Sequence, residues 1–259
     1  MTWQKSPLNL APLALTLSLE LLLIPGLPTP GQAQSPLAQG ISRRWEVSQI
    51  FRPPNRRAPA TTSGGATRGG CLVGEKTLTP LIPANSLPLT VAEYPTFFWS
   101  VPQSTADSAV FMLLDEKDEV IYQTTIPLSG TPGIVSFKLP AAELPPLKIG
   151  KMYHWFLALN CNSEDANPFV DGWVERTELS STLKARLEKA APRDRPSVYA
   201  DAGIWHEALT SLAELRRSSP NDTSLAANWK QLLQSVELDS IAEQPLVESC
   251  NSKSSAIAP

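Results

Sequence analysis

Between Leu78 and Leu179 short apolar runs alternate with proline and glycine, a two-residue rhythm that predicts the strands of a β-sandwich. Phe97, Trp99 and Val101 alternate with Phe98 and Ser100, so residues 95–102 read as a strand with one strongly apolar face. Residues 109–114 and 119–126 flank Asp115-Glu116-Lys117-Asp118, which predicts a hairpin with a charged tip. Val135, Phe137 and Leu139 point one way and Ser136 and Lys138 the other, the pattern of a half-buried strand. Residues 151–160 set Tyr153, Trp155, Leu157 and Leu159 on one face with Cys161 in register at the end, and residues 169–179 form a last strand carrying Trp173. Pro80, Pro83, Pro95, Pro102, Pro127, Pro140 and Pro168 all fall at strand ends or edges, where a missing N–H is tolerated.

From Ser180 onward the period becomes helical. A short helix capped near Ser181 carries Leu183 and Leu187, and a second spans residues 195–202 with Pro196 in its first turn. After Gly203, the residues Trp205, Ala208, Leu209, Leu212 and Leu215 form one helical stripe that ends at Pro220. Asp222 or Thr223 caps a last helix bearing Leu225, Trp229, Leu232, Leu233 and Val236, and a polar tail is expected from residue 243. The run from Tyr199 to Leu209, with Leu212 and Pro220 downstream, resembles the second half of a tetratricopeptide repeat. Only one copy is visible, so it reads as a helical hairpin packed on the sandwich, with a peptide-binding groove as the alternative.

Composition adds a compartment. Lys5, a leucine-rich stretch to Ile24, three prolines and Gly31-Gln32-Ala33 have the order of a signal peptide cleaved after Ala33; the alternative is an uncleaved anchor. After that leader no apolar run is long enough to span a bilayer. Residues 34–70 form a basic, proline- and glycine-rich arm expected to be disordered, in which Arg43, Arg44, Arg52, Arg56, Arg57 and Arg68 oppose the single acid Glu46. It serves as a solvated tether or as a basic one for anionic polymer or lipid head groups. The whole chain carries net charge −3, so the remainder is acidic and attracts the arm, and a nucleic-acid partner is not expected. In an exported chain Cys71 and Cys161, both inside folded segments, are expected to pair, leaving Cys250 in the tail; two separately buried thiols are the alternative.

Candidate chemistry is sparse. His206-Glu207 lacks a second histidine at Thr210, so no H-E-x-x-H zinc site forms, and His154 has no imidazole near it in sequence. Residues 64–70 lack the ending of a phosphate loop, and Asp115, Glu116, Asp118 and Glu119 lack the spacing of an EF-hand. Asn221-Asp222-Thr223 is a glycosylation sequon. No catalytic, cofactor or metal site is predicted. Trp205, His206 and Glu207 are the candidate interaction surface of the helical part. A cell-envelope hydrolase would use Asp171, Glu175 or Glu178, and a carbohydrate-binding protein would use Trp99, Trp155 or Trp173.

Several strings together carry a resemblance: residues 65–71 (GATRGGC), 78–83 (LTPLIP), 95–99 (PTFFW), 133–135 (GIV), 139–140 (LP), 150–156 (GKMYHWF) and 199–209. From about Arg57 to about Ala242 the chain resembles the DUF928 family, a cyanobacterial domain of unknown function. The resemblance implies an exported cyanobacterial protein, and Cys71 and Cys161 match the family's cysteine positions while Cys250 does not. It brings no activity, substrate or catalytic residue. The expectation is therefore an α+β chain, an Ig/fibronectin-like antiparallel β-sandwich (71–179) followed by a small helical hairpin (180–242). It is read as a non-enzymatic periplasmic or extracellular binding module for an unknown protein or cell-envelope polymer, with its oligomeric state open.

Overall fold

The strands expected from the two-residue rhythm form, and they build two sheets. In the computed structural model, which describes residues 49–59, 71–161 and 167–247, they are β1 (Thr79–Pro80), β2 (Leu89–Thr90), β3 (Thr96–Val101), β4 (Ser108–Leu114), β5 (Val120–Pro127), β6 (Gly133–Lys138), β7 (Met152–Asn160) and β8 (Phe169–Arg176). Four helices follow, α1 (Ser181–Lys189), α2 (Arg195–Asp201), α3 (Trp205–Ser218) and α4 (Thr223–Gln234). The described residues belong to one compact unit, Trp45–Pro259; a second unit, Met1–Arg44, which holds the expected leader, lies outside them, as does Cys250.

The smaller sheet has the order β1-β3-β6 and the larger β2-β8-β7-β4-β5. Pairing is antiparallel except between β2 and β8, so the expectation of a purely antiparallel sandwich is corrected to a mixed one. The sheets face each other across a core of Phe97, Trp99, Val101, Phe111, Leu113, Tyr153, Trp155, Leu157 and their neighbours. Gly172 stands opposite Trp155 in the ladder, and a Cβ there would collide with the indole, so this close approach requires glycine. Cys71 and Cys161 are disulfide-bonded beside this core, at the end of β7.

The smaller sheet is buried on both sides. Phe98 and Ile134, on the faces of β3 and β6 turned away from the sandwich core, pack with Trp205, Leu209, Leu212, Trp229 and Leu233 of the helices. The result is three layers: five strands, three strands, then helices. Ser180 caps α1 by accepting from Leu183 N–H, and Asp222 caps α4 by accepting from Ser224 and Leu225 N–H, as their positions before the apolar stripes require.

Two boundaries differ from expectation. The arm is not free along its whole length: residues 49–59 lie on the body, Phe51 is buried edge-on against Trp205 at 5.0 Å, and Phe51 N–H donates to Ser235 Oγ. Arg52 pairs with Asp201 and Arg56 with Glu175, so the attraction between basic arm and acidic body is realised in named ion pairs. At the other end the chain continues past residue 242 to lay Leu246 parallel to Ile134 on the edge of β6, with Ile134 N–H donating to Pro245 O and Val247 N–H to Ile134 O. Those bonds satisfy part of an otherwise open sheet edge.

Candidate functional site

In β4 and β7 both alternating sets of side chains are largely apolar, although only one set faces the sandwich core. The other set forms the outer face of the larger sheet. Register places Leu114, His154 and Trp173 in one row, Met112, Phe156 and Asp171 in the next, and Val110, Ala158 and Phe169 in the third. Apart from the buried His154 and Asp171, each of these side chains is half-buried. The helices pack on the opposite side of the molecule, against the smaller sheet. On the edge strand β5 the face carries exposed Gln123 and Thr125, with exposed Val120 and Ile121 at the hairpin end of the strand. An apolar centre with a polar rim is the composition of a recognition surface.

One polar group is built into this face. His154 Nε2–H donates to Asp171 Oδ2 at 2.7 Å, and the Asp171 side chain is 0% exposed. The imidazole stacks on the Trp173 indole with 4.2 Å between centroids, and Phe156 packs on it at 4.3 Å. Asp171 and Trp173 also line a cleft of about 680 Å³ whose opposite wall comes from Arg57 of the arm and from Asn85 and Ser86. Ser86 is 3% exposed and its hydroxyl has no partner among the described residues; the Trp173 Nε1–H likewise has none.

The helical residues singled out as an interaction surface are placed inward. Trp205 is 0% exposed and donates from Nε1 to Leu81 O at 2.8 Å. His206 donates from Nδ1 to Thr96 O at 3.0 Å and sets its ring edge-on to Phe97. Burial without a charge partner pushes its pKa down to about 4. Glu207 accepts from Thr90 Oγ1 at 2.6 Å, Ala92 N–H at 3.0 Å and Val91 N–H at 3.2 Å, while burial pushes its carboxyl up. These three consecutive residues dock α3 on the sandwich. They are an internal interface: Trp205 Nε1, His206 Nδ1 and the Glu207 carboxylate find their partners on residues 81–96, while His206 Nε2 has none among the described residues.

The carboxylates proposed for hydrolysis do not converge. Asp171 and Glu175 project from the same face of β8 four residues apart, about 13 Å along a strand, beyond the spacing of paired catalytic carboxylates. Glu175 is taken by Arg56 at 2.5 Å, and Glu178 is exposed beyond the strand end. Of the three tryptophans considered for sugar binding, Trp99 and Trp155 are core and only Trp173 reaches the surface. At the hairpin tip Asp115 Oδ1 accepts from Lys117 and Glu119 N–H, and Glu116 pairs with Lys151. Among the described residues no three of His, Cys, Asp and Glu are grouped to hold a metal ion, and no helix is long and apolar enough to cross a membrane.

Sequence reading missed Arg57, Asn85 and Ser86 as neighbours of Trp173, and only the proline-bracketed run 83–88 hinted at an irregular wall there. The apolar outer face was signalled by β7 itself, whose second set, Met152, His154, Phe156 and Ala158, contains no carboxylate, lysine or arginine.

No curated protein matches the chain by sequence. Among solved structures, the fn3 domain of human collagen alpha-1(XX) chain is similar over 45% of this chain and 93% of its own, with 14% identity and a TM-score of 0.27. CopC from Methylosinus trichosporium OB3b is similar over 40% of this chain and 97% of its own, with 8% identity and a TM-score of 0.29. A family model described as Domain of Unknown Function (DUF928) matches residues 63–246, which take in both sheets, the disulfide and all four helices, and the chain belongs to that family.

Proposed function

We propose that this chain is an exported, non-enzymatic binding module of the cell envelope that recognises its partner through the outer face of the five-stranded sheet. The observation that carries this reading is the row-by-row apolar character of that face, with Met112 and Phe156 at its centre and Gln123 and Thr125 at its rim, while the helices occupy the other side of the molecule. Export is supported by the leader-like order of residues 1–33 and by the Cys71–Cys161 disulfide, a bond that persists in oxidising compartments. The two facing sheets are read as an Ig/fibronectin-like sandwich. The helical hairpin, half of a tetratricopeptide-like unit, acts as a buttress instead of a peptide groove, since Trp205, His206 and Glu207 are spent on the sandwich.

The test is capture of envelope extract by the immobilised mature chain, compared with Met112→Glu and Phe156→Glu variants whose folding is verified by circular dichroism. The reading predicts retained material that both variants lose. Retention unchanged by either charge would refute it.

A further inference from the structure

We infer that the occupant of this face is a neutral glycan seated along β8, against Trp173 and the cleft beside it; the inference rests on the reading of the outer face as the recognition surface. A pyranose ring presents an apolar C–H face together with a rim of hydroxyls that both donate and accept. A site for it needs a fixed aromatic platform and hydrogen-bonding groups around one cleft. The structure puts these together. Trp173 is half-buried in the cleft wall and its indole is braced by the parallel imidazole of His154. Beneath the platform the wholly buried Asp171 carboxylate accepts from His154 Nε2–H and so fixes the imidazole that backs the indole. Asn85, Ser86 and Arg57 close the other wall with an amide, a hydroxyl and a guanidinium.

Two buried polar groups of the cleft residues, the Ser86 hydroxyl and the Trp173 Nε1–H, lack partners among the described residues. Buried hydrogen-bonding groups are normally satisfied, so their presence in a cleft that also presents the Asn85 amide points to a ligand rich in hydroxyls. Phe169, four residues before Trp173 on the same face, extends the platform by about 13 Å, which suits a chain of sugars more than a single one.

Other occupants fit less well. Three rows on four strands cover on the order of 300 Å², well under the roughly 800 Å² per partner of a stable protein interface, so a second copy of this chain would not be held by this face. An anionic polymer would find Arg57 as the one cation among the described residues that line the cleft, since Arg56 is already bound to Glu175. A purely apolar lipid surface would leave the cleft's hydrogen-bonding groups unsatisfied.

The experiment is affinity electrophoresis of the mature chain through gels containing cellulose derivatives, xylan, mannan or soluble chitin, with dextran sulfate as an anionic comparator. Trp173→Ala is run beside Asn85→Ala, a lining residue outside both hydrophobic cores, so that a misfolded strand variant cannot decide the result alone. The inference predicts retardation by at least one neutral polysaccharide, weakened at least tenfold by Trp173→Ala and several-fold by Asn85→Ala. It is overturned if no neutral polysaccharide retards the protein, if only dextran sulfate does, or if Asn85→Ala and folded Trp173→Ala migrate like the unaltered chain. Capture of envelope material that Met112→Glu abolishes, with no neutral polysaccharide bound, would sink the glycan while leaving the recognition face standing; failure of both would remove both.

Discussion

The imidazole of His154 lies parallel to the indole of Trp173, 5° between planes, while its Nε2–H is committed to Asp171. The two residues face each other across the β7–β8 ladder, so one side chain both braces the aromatic ring and holds the carboxylate. His154→Ala removes a donor from a wholly buried carboxylate and is expected to cost about 2 kcal/mol in urea unfolding. His154→Gln, whose amide can still donate, should recover part of that loss; equal losses for both would show that packing alone is at work.

Glu207 ties α3 to the β2 region through three accepted hydrogen bonds. Glu207→Ala leaves those donors to find water in a confined place, and a loss of about 2 kcal/mol is expected, with Glu207→Gln losing less because its amide oxygen still accepts. Chemical denaturation of the two variants side by side makes the comparison. Trp205→Ala, which empties a fully buried site and orphans the Leu81 carbonyl, is expected to cost more, about 4 kcal/mol.

His206 gives the fold a pH dependence. Its pKa is pushed from 6.5 in the unfolded chain down to about 4 in the folded one, so between those values the unfolded state binds the extra proton. The stability contributed by neutral His206 is therefore complete above about pH 6.5 and declines as pH falls toward 4, by about 3 kcal/mol in all. Glu207, pushed up by burial, acts in the opposite sense, favouring the fold at low pH and losing that contribution as pH rises through its folded value. The difference between the unaltered protein and His206→Asn, which carries no titrating group there, isolates the histidine. Urea midpoints that diverge from pH 4 to pH 7 are expected, and parallel curves would contradict the assignment.

The disulfide closes a sequence separation of 90 residues at the far end of β7. Replacing both Cys71 and Cys161 by alanine is expected to lower stability by roughly 4 kcal/mol through the added freedom of the unfolded chain. Thermal unfolding of the double variant measures it.

Much of the sandwich could be read from alternation, because residues such as Phe97, Trp99 and Trp155 face one core and their strands are bounded by proline. The third layer was harder to see. Phe98 and Ile134 are apolar on the side a simple sandwich leaves to water, and only the arrival of α3 and α4 gives that side a meaning. His206 and Glu207 look like surface residues in a helical stripe, since their partners Thr96 and Thr90 stand more than a hundred residues earlier. Phe51 was hidden for a related reason: a proline-rich basic segment has no core of its own, yet it borrows one from Trp205. The cleft beside Trp173 joins the arm, the run around Ser86 and β8, three stretches whose proximity no local pattern encodes.

Hydrogen–deuterium exchange of the mature chain with and without envelope polysaccharide or extract tests the central claim most directly. The outer face of the larger sheet as recognition surface predicts new protection in β4, β7 and β8, concentrated at residues 110–114, 154–158 and 169–175, with α3 and α4 unchanged. Protection confined to the helices, or absent from all three strands while material is bound, would contradict it.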